Sequence, residues 1–372
     1  AGGELLNDSE ARIVSKSGMS LKATGKIDNK GDIEAKERLL VVTDSSLDNS
    51  GNIQSDSNII LTSIEGMKNA ISGVIKSIGS QTVTSQGKIN NQGKIKSKDS
   101  SITLSTNADI ENAGKLVAKK DIKSEGSQNI LNSGSILASR VLDLSTLGKF
   151  TNTQDANIGS IQDLTIVAND GLDNQGEILA LDGITTIKSG KNIINREGGN
   201  ITGALGAEIT ADKSITNSGS VFSSRAVDIN AEETIHNTDK GQIGSGQKLS
   251  ISSETDSITN GGIIGAVDDV LLESAKIAIN NGHILSGKSI EVNGEVLENR
   301  GQVNAVKSIK LSAKDDITNI DAGLIKSGGE LTITSQEGRL QNINSDPVRF
   351  NKSGIIAVDK ATIDTALGFT NN

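Results

Sequence analysis

Leu172-Asp-Asn-Gln-Gly-Glu-Ile178 is one copy of a short pattern in which an Asn-x-Gly centre is flanked on each side by an apolar residue. The same pattern reads Ile27-Asp-Asn-Lys-Gly-Asp-Ile33, Leu47-Asp-Asn-Ser-Gly-Asn-Ile53, Ile89-Asn-Asn-Gln-Gly-Lys-Ile95 and Leu297-Glu-Asn-Arg-Gly-Gln-Val303. Its Asn recurs at positions 7, 29, 49, 69, 91, 112, 132, 152, 174, 195, 217, 237, 260, 280, 299, 319, 342 and 371. The mean interval is about 21 residues, a fixed period that marks a solenoid rather than a globule.

The spacing inside the repeat divides it into two parts. In ten repeats the apolar residue after the Asn lies four positions on, as from Asn217 to Val221. In six it lies six positions on, as from Asn69 to Ile75 and from Asn319 to Ile325; after Asn342 it lies fourteen on, at Ile356. From that residue to the next Asn the separation is always 15 to 17. One arc is therefore nearly constant, as in-register stacking demands, and one corner absorbs insertions into solvent.

Two positions past the leading apolar residue stands Ser or Ala in all repeats but two, the exceptions being Gly203 and Val358. Short alternating stretches follow, such as Ile102-Thr-Leu104, Ile290-Glu-Val292 and Leu331-Thr-Ile333. Alternation of period two is the strand signal, and no capped segment has helical spacing. The reading is all-β, a parallel β-helix of about 17 coils with three short strands each, each strand pairing with its equivalent roughly 4.8 Å away along a rod. The Asn-x-Gly corner is expected to use the tolerance of both residues for positive φ. The ten Asn at short corners (Asn29, Asn49, Asn91, Asn112, Asn132, Asn174, Asn217, Asn260, Asn280 and Asn299) are the candidates for a hydrogen-bonded ladder of stacked side chains.

Composition agrees with a thin aliphatic core. Among 372 residues there is no Trp, Tyr or Cys, one Pro, four Phe and 41 Gly. Many Gly with almost no Pro means many tight turns whose backbone donors are still needed for pairing. The absence of Cys excludes disulfides and thiolate chemistry. A net charge of −9 opposes nucleic-acid binding and attraction to an anionic membrane surface. No stretch has the length of a membrane span, so membrane insertion is not expected. The opening Ala1-Gly2-Gly3-Glu4 has no basic-then-apolar leader, so an export signal would lie outside this piece.

Several motifs look chemical in isolation. Gly282-His-Ile-Leu-Ser-Gly-Lys288-Ser289 fits a phosphate-binding loop, but a strand pattern follows it where that chemistry needs a helix N-terminus. His236 and His283 stand alone at separate corners, and the acidic pairs Asp268-Asp269 and Asp315-Asp316 lack the aromatic and basic company of a polysaccharide-degrading site. No catalytic, metal or cofactor residues are assigned, and an enzyme is not expected. The longest corner, residues 343–354, holds the single Pro, and its Arg349, Phe350 and Lys352 are candidates for contact with a partner.

The repeated lines, such as Ile215-Thr-Asn-Ser-Gly-Ser-Val-Phe-Ser-Ser and Leu172-Asp-Asn-Gln-Gly-Glu-Ile-Leu-Ala, resemble the filamentous-haemagglutinin repeat across residues 5–372. That resemblance implies a right-handed β-helix in a very large bacterial exoprotein, exported by a two-partner outer-membrane transporter to the cell surface or medium. It implies an adhesin or a toxin-delivery effector of contact-dependent growth inhibition. Neither end reads as a solenoid cap, so residues 1–372 are expected to be one continuous segment of a longer rod. Its expected role is to project a toxin or adhesive tip; the alternative is direct binding of a host or target-cell receptor or glycan, and a remote one is a β-helix polysaccharide-degrading enzyme.

Overall fold

The computed structural model describes residues 2–343 and 353–371. They contain strands and turns and no helix. The chain forms two compact units, residues 1–188 and 189–372, each built from the same kind of coil.

In the first unit, one coil contributes Ile27–Asn29, Asp32–Ala35 and Leu39–Thr43. The next contributes Ser46–Asn49, Asn52–Ser55 and Ile59–Ser63. Equivalent strands pair in parallel, with Ile27 opposite Leu47, Ile33 opposite Ile53 and Leu39 opposite Ile59. Three parallel sheets result, called here first, second and third in chain order within a coil. In the second unit Ile215–Asn217, Ser220–Ser223 and Ala226–Ala231 pair in the same way with Ile235–Asn237, Gln242–Ser245 and Leu249–Ser253.

Alternation places one large apolar side chain from the first strand, one from the second and two from the third inside the coil, with Asn29, Ala35 and Thr43 also buried at the strand ends. Ile27, Ile33, Leu39 and Val41 are the set in one coil, each fully buried. Burying each such side chain contributes about 1.5–3 kcal/mol, so every added coil carries its own share of the core. Phe150 takes the first-strand position between Ile130 and Leu172 and is fully buried. Among the described residues three polar residues, Gln81, Ser124 and Thr185, interrupt the third-sheet columns. Gln81 lies between Ile59 and Ile102, and its Nε2 donates to the Lys96 carbonyl at 2.6 Å. Ser124 lies between Leu104 and Leu144 beside a bulge in which Gly126 adopts φ +74°.

The corner after the first strand differs in mechanism from the sequence expectation. Among the described residues no Gly of an Asn-x-Gly corner and no stacked Asn has positive φ, and the non-Gly residues with positive φ are Asp155 and Asp321. Gly is needed there for close approach. A Cβ on Gly51 would stand 2.2 Å from the carbonyl oxygen of Gly31, and one on Gly114 would stand 2.0 Å from that of Gly93. The six-residue corners add a single turn. Gly73 N–H donates to the Ala70 carbonyl at 2.8 Å, Ala156 to Thr153 at 3.1 Å, Gly199 to Arg196 at 2.9 Å and Gly241 to Thr238 at 3.0 Å. Gly73 then occupies the place of Gly51, and Val74 N–H reaches the Gly51 carbonyl as Asn52 N–H reaches that of Gly31.

The expected register after Asn342 is one residue off. Ile355, not Ile356, pairs with Ile325, and Ala357 pairs with Ser327. Ile356 points outward and is 44% exposed. With the register shifted by one, every side chain changes face, so Ala357 takes the small-residue position and Val358 ceases to be an exception. Arg349, Phe350 and Lys352 lie outside the described residues.

Gly114→Ala should lower the unfolding free energy by about 2 kcal/mol or more, because the clash is with backbone. Deleting Ile71 and Ser72 converts a six-residue corner into Asn69-Ala-Gly-Val-Ile, and should leave the thermal midpoint within a few degrees. Circular dichroism melts of the two variants check the pair.

Candidate functional site

The most regular polar feature is the Asn column at the end of the first strands. In the first unit the Nδ2 of each Asn donates to the Oδ1 of the Asn one coil on. The series runs Asn7, Asn29, Asn49, Asn69, Asn91, Asn112, Asn132, Asn152 and Asn174, at 2.7–2.9 Å throughout. In the second unit it runs Asn195, Asn217, Asn237, Asn260, Asn280, Asn299, Asn319, Asn342 and Asn371 at 2.5–2.8 Å. The amide also binds backbone: Asn29 Nδ2 lies 3.1 Å from the Gly31 carbonyl and 3.2 Å from that of Asn52. The ten candidates are thus stacked with Asn from longer corners such as Asn69 and Asn319, because the added turn lies outside the ladder.

Two further columns satisfy the other corners. At the end of the second strand Ser97 Oγ donates to the Gly79 carbonyl at 2.8 Å and Ser55 Oγ to that of Glu37 at 2.5 Å. At the end of the third strand Thr106 Oγ1 donates to the Gly87 carbonyl at 2.7 Å and Thr146 Oγ1 to that of Gln128 at 2.6 Å. The sequence reading found the first of these columns and missed the second. Its signal was present in Thr43, Ser63, Ser85 and Thr106, which recur one coil apart.

The chemical-looking motifs are dispersed over outward positions. Gly282 to Ser289 spans the strand His283–Ser286 and the start of Ser289–Gly294, so no helix N-terminus faces it, and Lys288 pairs with Asp268 at 2.7 Å. His236 stands between Thr216 and Thr259, and His283 between Ile263 and Gln302. Asp316 accepts the Arg339 N–H at 2.8 Å. Among the described residues no three His, Asp or Glu side chains gather as a metal site would require, and no helix is long and apolar enough to cross a membrane.

Ion pairs mostly join neighbouring coils. Lys36 meets Asp56 at 2.7 Å, Lys88 meets Glu111 at 2.7 Å, and Lys310 meets Glu291 at 2.8 Å. The Arg140 guanidinium holds the Asp121 carboxyl below the usual carboxylate range, and Lys310 does the same to Glu291. Such exposed pairs contribute about 0–1 kcal/mol each. One shallow apolar groove lies on the second sheet of the second unit. Phe222, Gly244, Gly265 and Leu285 occupy successive outward positions, so the two glycines leave a hollow between two large side chains, edged by Val267 and Val306.

A family comparison bears directly on this repeating geometry. The haemagglutinin repeat matches residues 1–93, 79–176, 151–202, 200–257 and 241–346. The chain belongs to the haemagglutinin-repeat family. Among curated proteins, this haemagglutinin-repeat chain is similar to the tRNA nuclease CdiA of Yersinia mollaretii, at 26% identity over 85% of the chain and 11% of that protein. It is also similar to the tRNA nuclease CdiA of Escherichia coli O6:K15:H31, at 33% identity over 24% of the chain and 3% of that protein. Toxin CdiA of Escherichia coli matches at 28% identity over 32% of the chain and 3% of that protein. The chain therefore spans about a tenth or less of the length of these relatives. No solved structure matches it.

Asn112→Ala should orphan the Asn91 donor and the Asn132 acceptor, costing about 2–6 kcal/mol in all. Asn112→Asp keeps an acceptor for Asn91 but sets oxygen against Asn132 Oδ1 and buries a charge. Burial raises the folded-state pKa of that carboxyl, so the protonated form is favoured in the fold. Stability of this variant should therefore be higher at about pH 4 than at about pH 7. Denaturant midpoints across that range test the sign.

Proposed function

We propose that residues 1–372 are one continuous filament segment of an exported bacterial surface exoprotein, and that they carry a toxin or adhesive tip toward a target cell. The observation that carries this reading is the uniform coil of the family match: one supersecondary unit repeated in register, with polar chemistry spent on corner satisfaction. The names of the relatives, tRNA nuclease and toxin, support a toxin-bearing parent, and their length leaves ample chain for a tip elsewhere. Two-partner export through an outer-membrane transporter suits a Cys-free chain that can fold coil by coil after crossing. In the parent protein, deleting residues 29–111 removes four repeats and rejoins the register at Asn112. Surface display and tip affinity should persist while contact-dependent activity changes with the number of coils removed. Loss of tip binding after deletion of one coil would overturn the spacer reading.

The groove at Phe222 favours a second reading, in which the segment itself binds a receptor or glycan, with Arg349, Phe350 and Lys352 as further candidate contacts. Purified chain should then bind target cells, and Phe222→Asp should weaken that binding at least tenfold with the circular dichroism spectrum unchanged. Equal binding by the variant sinks this assignment.

A further inference from the structure

Some lysines on this protein meet an acid one coil away, as Lys36 meets Asp56 and Lys88 meets Glu111. On the second sheet of the first unit lysine stacks on lysine instead. Lys76 stands opposite Lys96, and Lys94 stands opposite Lys115. Lys98 and Lys119 take equivalent corner places, their N–H groups donating to the Ser77 and Ser97 carbonyls. Against these six lysines the same corners hold Asp99 and Asp121, and Asp121 is engaged by Arg140. Among the described residues none of the six makes an ion pair. Like charges one strand spacing apart, roughly 4.8 Å, destabilise a sheet.

The same face changes character a coil further on. The column that holds Lys76 and Lys96 continues as Val117, Leu137, Gly159 and Leu179. Leu137 is 38% exposed, and Ile161 and Leu181 on the adjoining corner are 44% and 62% exposed. An unneutralised cationic block thus runs directly into an outward apolar strip within one sheet.

We propose that this face docks peripherally on an anionic phospholipid bilayer, the lysines on lipid phosphates and the Leu–Ile strip at the headgroup–acyl boundary. Charge complementarity supplies the first half of the match and the contiguous apolar strip the second. A phospholipid interface offers both phosphate and hydrocarbon, since an apolar face can settle about 5–10 Å into the headgroup–acyl boundary while cationic side chains meet the headgroups. The net charge of −9 speaks against such a surface on average, but attraction decays within a Debye length of about 8 Å, so the local block decides.

The full 372-residue chain would be sedimented with phosphatidylcholine vesicles with and without phosphatidylglycerol, and with vesicles carrying a phosphorylated glycolipid. Binding to the phosphatidylglycerol vesicles, absent on neutral ones and weakened by salt, is the expected result. The double variant Lys76→Glu/Lys96→Glu should lower partitioning about 25-fold or more, at roughly fivefold per lysine lost. Leu137→Asp should lower it too, and Lys326→Glu in the second unit should leave it unchanged. Circular dichroism of each variant establishes that the fold is kept. The proposal is overturned by no binding to phosphatidylglycerol vesicles, by binding that survives the double reversal, or by preference for the glycolipid vesicles. It is equally overturned if soluble polyphosphate competes fully and Leu137→Asp has no effect, since the face would then read polyanions.

Discussion

A buried asparagine amide has two donors and an acceptor to satisfy, and leaving any of them unpaired costs about 1–3 kcal/mol. Here the partner is the same residue one coil away. Asn29 donates to Asn49, and its second hydrogen is shared by the Gly31 and Asn52 carbonyls. This requirement fixes the coil register at one corner, and the other two corners follow from it. A slip of one residue would remove the Asn partners and expose the four core side chains of that coil at once. The corner glycines belong to the same constraint: the coils approach so closely there that Gly51 has no room for a Cβ.

Because each coil is satisfied by its neighbours, the outward positions are released from structural duty. Some of them carry charge of both signs that pairs across coils, as Lys36 does with Asp56, which keeps the strands solvated at little energetic cost. Departures from that pairing therefore stand out against a regular background. The lysines at Lys76, Lys94, Lys96 and Lys115 stack like on like. The glycines at Gly244 and Gly265 open a hollow beside Phe222. Both features lie on the second sheet, whose outward residues no core or corner requirement selects.

The family match and the coil geometry address different questions. Membership in the haemagglutinin-repeat family rests on the repeated line and covers most of the chain. The nuclease and toxin names belong to proteins of which this chain spans a small part. The activity of those proteins therefore reaches this segment through its proposed role as a carrier, while any contact the segment itself makes must come from its outward faces.

The sequence by itself determined the class of fold, the repeat length, the constant arc and the ladder position, because each depends on residue type recurring at a fixed interval. Asn at one phase and Ile, Leu or Val at four others suffice to place an in-register stack. The tertiary structure alone decided matters that depend on which atoms meet across coils. The corner glycines avoid a neighbouring carbonyl instead of supplying positive φ. The six-residue corners close a turn that leaves the ladder undisturbed, so Asn69 and Asn319 stack like the rest. Ile355, not Ile356, turns inward after the longest corner, because pairing with Ile325 sets the face and a count of residues through an insertion does not. The lysine block and the strip that follows it became visible only when residues about 21 apart were placed one strand spacing from each other.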